Sequence, residues 1–232
     1  MRNSEKNYIF SEMLISHLVR YTGVKYAFIS PGSRNTPLTQ ALLKNTDIKT
    51  YSIVDERSSA YVALGVSKSE EPNEQVPRYH PSPVIVVTTS GTAVANLFPG
   101  IIETYMSKIP MIIITADRPK RLIDTGANQT IYQNKIFGKY AIFFDARSFI
   151  KNVKKYIKNY EENNDIDELV DFVRLIASTM SDFHPDPDYF DSRPRPVHLN
   201  IPFDFDEPIY NKAKNTESIE NPYFNMTKNF SP

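Results

Sequence analysis

The chain has 232 residues, of which 41% are hydrophobic, which is enough for one sizeable core with part of the chain outside it. Lysine and arginine together number 27, as do aspartate and glutamate, and this zero net charge argues against broad electrostatic binding to nucleic acid or an anionic membrane. The lack of cysteine excludes disulfides and thiolate metal sites, and because no apolar stretch is long enough to cross a bilayer we expect a cytoplasmic protein.

The first part of the chain alternates amphipathic helices with short apolar strands. Apolar residues that recur every three to four positions predict helices at 7–22, 36–44 and 58–69. Two apolar runs, 26–29 and 48–54, lie between these helices and predict strands.

The middle of the chain contains the most apolar runs. A polar segment at 70–82 leads into the β-branched run 84–87, and a similar run follows at 111–114. Uninterrupted runs of this kind are typical of strands that are covered on both faces. Between them we predict a helix at 92–107, which Pro99 breaks or kinks.

The pattern weakens in the last part of the chain. We predict a short helix at 131–138, an amphipathic helix at 167–180 and a final strand at 196–202. The repeated alternation of strand and helix predicts an α/β fold, a doubly wound and mostly parallel sheet with helices on both faces. We interpret residues 1–203 as one domain and 204–232 as a polar linker or truncated end.

Polar segments recur where the predicted strands end. Ligands bind beyond the carboxyl ends of the strands in an open parallel sheet, so we expect these segments to build one site. They are Ser30–Arg34, Asp55–Arg57, Thr88–Ala93 and Thr115–Pro119, with Gly126–Gln129 further along the chain.

Two arginines have the chemistry of an anion site. Arg34 follows a strand and precedes a helix, so it can bind an anion together with the N–H groups of that helix, or it can be a solvated residue beside a helix cap. Arg118 begins a segment that ends at Gln129 and can bind a carboxylate or form loop ion pairs. Together, the two arginines suit a substrate with carboxylates.

Glu56 and the segment Thr89–Ala93 each admit two interpretations. Glu56 can be an acid–base carboxylate in a dry cleft, or a first-turn acid that the helix dipole favours. The small residues of Thr89–Ala93 admit a ligand or another subunit, or they allow tight packing of helix on strand; they lack the Gly-Lys-Ser/Thr of a P-loop. The four histidines have no metal-ligand spacing, and no metal site is predicted.

Seven segments, taken in order, resemble the N-terminal pyrimidine-binding domain of the 2-succinyl-5-enolpyruvyl-6-hydroxy-3-cyclohexene-1-carboxylate synthase family, thiamine-diphosphate enzymes of menaquinone biosynthesis. Each segment alone is a weak signal, and the specificity comes from their shared order up to Phe203. The segments are Ser30–Pro37, Asp55–Ser58, Ala63–Gly65, Thr89–Ala93, Thr115–Pro119, Asp124–Gln129 and Pro196–Phe203.

The resemblance implies a transferase that decarboxylates 2-oxoglutarate and adds the resulting succinyl-semialdehyde unit to isochorismate. It implies that Glu56 is catalytic because it hydrogen-bonds the aminopyrimidine of the cofactor, whose chemistry the protein orients and tunes. The other expected cofactor contacts are Ser30, Pro31, Gly32 and Thr89. The expected substrate contacts are Ser33, Arg34, Arg118 and Gln129.

The resemblance also implies Mg²⁺, held by a second domain with a Gly-Asp-Gly motif that this sequence lacks. We therefore expect the N-terminal part of a longer enzyme, inactive alone, and a homodimer or homotetramer with an apolar face near residues 92–107. Two alternatives remain open: a pyrimidine-binding subunit of another thiamine-diphosphate decarboxylase, and a non-catalytic binding or assembly module.

Overall fold

The computed structural model of the chain describes residues 2–69, 82–156, 168–180 and 194–205. The strands are β1 (Tyr26–Ile29), β2 (Lys49–Ser52), β3 (Val84–Thr88), β4 (Met111–Asp117), β5 (Ile142–Asp145) and β6 (Val197–Pro202). The α-helices are α1 (Asn3–Thr22), α2 (Thr36–Lys44), α3 (Glu56–Ser69), α4 (Thr92–Asn96), α5 (Phe98–Met106), α6 (Arg147–Lys151) and α7 (Glu168–Met180).

The six strands form one sheet in the order β2-β1-β3-β4-β6-β5, and every neighbouring pair is parallel. β3 and β4, which lie in the middle of the sheet, are buried at every position. This agrees with their β-branched sequences, because a strand that is covered on both faces needs no polar side. The predicted α/β class with a parallel sheet is confirmed.

A hydrophobic core lies on each face of the sheet. Successive strand residues point to opposite faces, so Ile85 and Val87 pack into one core while Val84 and Val86 pack into the other. The first core contains apolar residues of α1, α2, α6 and α7, and the second contains those of α3, α4 and α5. The predicted covering of both faces by helices is therefore confirmed.

The helix predicted at 92–107 is divided into α4 and α5. Pro99 lies in the first turn of α5, where its missing N–H costs nothing, so the chain restarts a helix there. Gly100 then faces α3, and a Cβ atom at this position would lie 2.5 Å from the Cβ of Ala60. The absence of a side chain at residue 100 thus lets α3 and α5 pack closely.

One prediction about the last part of the chain is wrong, and two elements there were not predicted. The helix predicted at 131–138 is a series of turns, because Lys135 and Gly138 both have left-handed backbone angles, with φ of 54° and 52°. β5 and α6 were not predicted from the sequence. The available signal for β5 was the short apolar run at 142–144, which is similar to the run that predicted β1, and each position of β5 is only partly buried.

Some predicted segments lie outside the described residues. These are nearly all of the polar segment at 70–82 and the tail beyond residue 205, so the domain boundary at 203 stays a prediction. The first residue of the predicted tail at 204–232 is described and contacts the domain: the Asn7 side chain donates to the Asp204 carbonyl at 2.8 Å, and Arg121 forms an ion pair with the Asp204 carboxylate. Within the described ranges, no helix combines the length and apolar character that a membrane span requires.

Candidate active site

A cleft of about 820 Å³ opens beyond the carboxyl ends of β1 and β3. From β1 the chain passes outward to β2, and from β3 it passes in the opposite direction to β4. Open α/β sheets bind ligands at such a reversal of strand order. The cleft is lined by Pro31, Gly32, Ser33, Arg34, Glu56, Thr89, Ser90, Thr92, Ala93, Ala95, Asn96, Arg118, Asn128 and Gln129.

The structure brings eight of the nine predicted site residues into this cleft. These are Pro31, Gly32, Ser33, Arg34, Glu56, Thr89, Arg118 and Gln129. The ninth, Ser30, is fully buried at the end of β1, where its carbonyl accepts a hydrogen bond from the Asn35 side chain. The juxtaposition fits the predicted site, and the role of each residue stays a prediction.

Glu56 begins α3, and its carboxylate is bound at the cleft by a residue of α4. Asp55 caps the helix, because its Oδ1 accepts from the backbone N–H of Ser58 at 2.7 Å and from the Ser58 hydroxyl at 2.8 Å. These hydrogen bonds from Ser58 lower the pKa of Asp55. Glu56 is half-buried, and its Oε2 accepts from Asn96 Nδ2 at 3.0 Å. Asn96, at the end of α4, was not identified from the sequence.

The two predicted arginines both reach the cleft and are anchored differently. Arg34 Nη1 donates to the Phe203 carbonyl at 2.8 Å, and its guanidinium lies 5.5 Å from the centre of the Phe205 ring. Arg118 Nη1 donates to Ser90 Oγ at 2.6 Å. Burial, followed by the charge of Arg118, lowers the pKa of Arg34, although an arginine remains protonated at neutral pH. The cleft therefore holds two positive charges that can bind an anion.

Two glycines allow the cleft loops to approach each other. Gly32 has an extended backbone, and a Cβ atom there would lie 2.5 Å from the Cβ of Thr89. Gly91 has a φ of +82°, and a Cβ atom there would lie 1.7 Å from the Gln129 carbonyl oxygen. The Gln129 side chain donates to the Ser90 carbonyl, so the loop before β5 closes onto the turn after β3.

A buried polar network lies beneath the cleft between β4 and β6. Thr115 Oγ1 lies 2.8 Å from His198 Nε2 and donates to Asn200 Oδ1 at 2.9 Å. Asn200 Nδ2 donates to Asp117 Oδ2 at 2.8 Å, and Gln133 Nε2 donates to Asn200 Oδ1 at 2.9 Å. Polar residues inside strands that are buried on both faces were the signal for this network, which the sequence analysis did not use.

His198 is a neutral member of this network. It is 1% exposed, and its ring meets the rings of Phe137 and Phe143 at centroid distances of 4.8 and 5.3 Å. Because the Thr115 hydroxyl donates to Asn200, it must accept from Nε2–H of His198, which leaves Nδ1 unprotonated. Burial lowers the pKa of His198 to about 3, from 6.5 for a free side chain.

Acid should therefore destabilise the fold through His198. Below about pH 6.5 the histidine binds a proton in the unfolded chain, whereas in the folded chain it binds one only near pH 3. The contribution of neutral His198 to the free energy of unfolding is therefore complete above pH 6.5 and is lost as the pH falls. Between pH 8 and pH 5 the loss is about 2 kcal/mol. We expect His198→Gln to lose about 2 kcal/mol less than the wild type over this interval in urea unfolding. An equal pH dependence of the free energy of unfolding in His198→Gln and the wild type would contradict the assignment.

An all-parallel sheet with a half-buried carboxylate and two guanidinium groups at its switch point defines a ligand-binding α/β domain. The chain matches, over residues 10–136, the family described as thiamine pyrophosphate enzyme, N-terminal TPP binding domain. This match covers more than half of the 232 residues, and the chain belongs to this family.

The relatives have one name in common. The chain is 45% identical over 141 residues to the 2-succinyl-5-enolpyruvyl-6-hydroxy-3-cyclohexene-1-carboxylate synthase of Psychromonas ingrahamii. The aligned region covers 61% of the chain and 22% of that protein. It is 46% identical over 133 residues to the protein of that name from Salinibacter ruber, covering 57% of the chain and 21% of the relative. The chain thus spans about a fifth of the length of these curated relatives.

Proposed function

We propose that the chain is the pyrimidine-binding domain of a thiamine-diphosphate-dependent synthase that joins a unit from 2-oxoglutarate to isochorismate in menaquinone biosynthesis. The observation that carries this proposal is the position of Glu56, at the start of α3 and in the same cleft as Arg34 and Arg118. The shared name of relatives that are 45% and 46% identical supports the choice of reaction over that of another thiamine-diphosphate decarboxylase.

The residues of the cleft fit the pyrimidine end of thiamine diphosphate. Glu56 presents a half-buried carboxylate of which Oε2 is bound by Asn96, and its Oε1 has no protein partner among the described residues. Gly32 and Ala93 keep the wall beside it free of large side chains. When bound, thiamine diphosphate supplies the electron sink for decarboxylation and carbon–carbon bond formation. Glu56 would hold a ring nitrogen of the aminopyrimidine and control the proton there.

The remaining assignments divide the cleft between cofactor and substrate. Ser30, Pro31, Gly32 and Thr89 belong to the cofactor side in this proposal. Ser33, Arg34, Arg118 and Gln129 belong to the substrate side. A guanidinium binds a carboxylate through two parallel hydrogen bonds, so two of them suit the dicarboxylates 2-oxoglutarate and isochorismate, chiefly the latter.

The proposal extends to the metal, the assembly and the compartment. In this proposal a second domain with a Gly-Asp-Gly motif holds Mg²⁺ and the diphosphate, as the family resemblance implies. We also propose self-association, since a partner subunit would then supply that domain, and a cytoplasmic location.

A chimaera tests the proposed reaction. Residues 1–203 of this chain would replace the matching N-terminal part of the Psychromonas ingrahamii synthase, and formation of product from 2-oxoglutarate and isochorismate would be measured with thiamine diphosphate and Mg²⁺. Activity that depends on residues 1–203 supports the proposal. A folded chimaera that binds thiamine diphosphate but forms no product would contradict the substrate assignment.

Arg118 should dominate the affinity of the chimaera for isochorismate. Arg118→Ala removes a charge-assisted hydrogen bond whose loss costs about 1.5–3 kcal/mol, so we expect about 10- to 150-fold weaker binding by calorimetric titration. Arg174→Ala is the matched control, because Arg174 is exposed on α7 and paired with Asp171. An unchanged dissociation constant in Arg118→Ala would remove this residue from the substrate site.

A further inference from the structure

The two sides of the cleft are joined by a closed ring of hydrogen bonds. Arg118 Nη1 donates to Ser90 Oγ at 2.6 Å on the cleft side. The ring continues below the cleft: the Gly91 N–H donates to Gln133 Oε1 at 2.7 Å, and Gln133 Nε2 donates to Asn200 Oδ1 at 2.9 Å.

Asp117 completes the ring on the other side of Asn200. Asn200 Nδ2 donates to Asp117 Oδ2 at 2.8 Å, and Asp117 Oδ1 accepts from the backbone N–H of Arg118 at 2.7 Å. Both carboxylate oxygens of Asp117 thus act as acceptors. Gln133 and Asn200 are buried, do not belong to the cleft lining and come from the loop before β5 and from β6.

We propose that Asn200, acting with Gln133, is a positioning residue that fixes the Arg118 guanidinium and the Ser90–Gly91 turn relative to each other for binding a carboxylate. Asn200 joins Gln133 to Asp117, because it accepts with one side-chain atom and donates with the other. The effect on substrate rests on the function proposed above, whereas the effect on the two loops does not.

The ring contains a buried carboxylate whose charge acts on the cleft. Asp117 is 2% exposed, and burial raises its pKa, which the hydrogen bond from Asn200 opposes. The charges of Asp117 and Arg118 both act on Arg34, in opposite directions. The carboxylates of Asp204 and then Asp117 therefore oppose the effect of Arg118 on Arg34, and Asn200 donates a hydrogen bond to the second of them.

An exchange of the two side chains provides a sharp test. Asn200→Asp replaces the donor that faces Asp117 with an oxygen, which breaks the ring at one bond and puts two carboxylates together. The double variant Asp117→Asn with Asn200→Asp reverses the bond: the new amide at position 117 would donate to the new carboxylate at position 200, while each position keeps its acceptor for Arg118 or for Gln133. Asn7→Asp is the control, since Asn7 is also a buried amide and donates to a carbonyl at 2.8 Å outside the ring.

The first readout is hydrogen exchange of the Gly91 and Arg118 amides in the 232-residue chain. We expect Asn200→Asp to accelerate hydrogen exchange of both amides about tenfold or more relative to the amides of β3. The double variant should restore the wild-type exchange rates. Asn7→Asp should change the exchange of these two amides no more than it changes that of the β3 amides. Unchanged exchange at both amides, or a double variant no better than the single one, would overturn the proposal.

The second readout separates this inference from the proposed function. In the chimaera, Asn200→Asp should weaken isochorismate binding about tenfold, with thiamine diphosphate binding changed less than about twofold, and the double variant should recover most of the loss. If the exchange results hold and the wild-type chimaera binds no isochorismate, the proposed substrate is wrong and the ring stands. If isochorismate binds equally to the wild type and Asn200→Asp, the positioning role is wrong.

Discussion

Glu56→Gln should abolish most of the catalytic power of the chimaeric synthase while leaving cofactor binding nearly intact. The substitution keeps the size of the side chain and its hydrogen bond with Asn96, but it removes the negative charge that would control the proton on the aminopyrimidine. Loss of a general acid–base group costs about 100- to 10,000-fold in rate. We therefore expect a fall of this size in the rate of C2 proton exchange of bound thiamine diphosphate, measured by NMR.

Asp55→Asn is the matched control for Glu56→Gln. Asp55 is the neighbouring carboxylate, also lies within reach of Asn96 at 3.3 Å, and serves as the helix cap. Asparagine caps helices as well as aspartate does and gives up only the long hydrogen bond that Asp55 accepts from Asn96 at 3.3 Å, so neither stability nor C2 exchange should change much. Equal exchange rates in the wild type and Glu56→Gln would leave Glu56 as a first-turn acid whose contribution is about 0.3–1 kcal/mol of stability.

Among substitutions that add one methyl group in the cleft, Gly91→Ala should lower the stability of the fold most. Gly91 has a φ of +82° and a ψ of −133°, a region that other residues rarely enter, at a cost of about 1–3 kcal/mol. The new Cβ would also lie 1.7 Å from the Gln129 carbonyl oxygen, so the loop that carries Gln129 must move. We expect a loss of about 3 kcal/mol or more in the free energy of unfolding, by urea denaturation.

Gly126→Ala separates backbone strain from collision. Gly126 has a similar φ of +76°, and a Cβ atom added at this position would have no other atom within 4 Å. We expect this variant to lose about 1 kcal/mol through strain alone and to keep its affinity for isochorismate in the chimaera. If the two variants were equally stable, the close approach of residues 91 and 129 would not exist in solution.

The sequence identified the sheet and most of the cleft because both depend on local patterns. The runs at 84–87 and 111–114 are β-branched and continuous, and burial on both faces rewards that composition wherever it occurs. The cleft residues follow the strands directly, so predicting the strands also located Arg34, Glu56 and Arg118 at one edge of the sheet.

The residues that support the cleft could not be identified in the same way. Asn96 and Glu56 form a hydrogen bond although they are 40 positions apart in the sequence, and Asn200 and Asp117 do so at a separation of 83 positions. Such hydrogen bonds exist only after the sheet has assembled. β5 was missed because its apolar run is only three residues long and lies in a part of the chain where the strand–helix pattern is weak; it is a partly buried edge strand. Long-range hydrogen bonds and edge strands are therefore the features for which the three-dimensional structure was needed.

The contact between Gly100 and Ala60 bears on how this domain tolerates redesign. Ala60 lies about one helical turn beyond Glu56, so the separation of α3 from α5 also determines where the Glu56 carboxylate lies. Any larger residue at position 100 would push α3 outward and carry that carboxylate with it. A library made to change substrate preference should therefore vary the rim of the cleft and keep glycine at position 100, a remote residue that no inspection of ligand contacts would select.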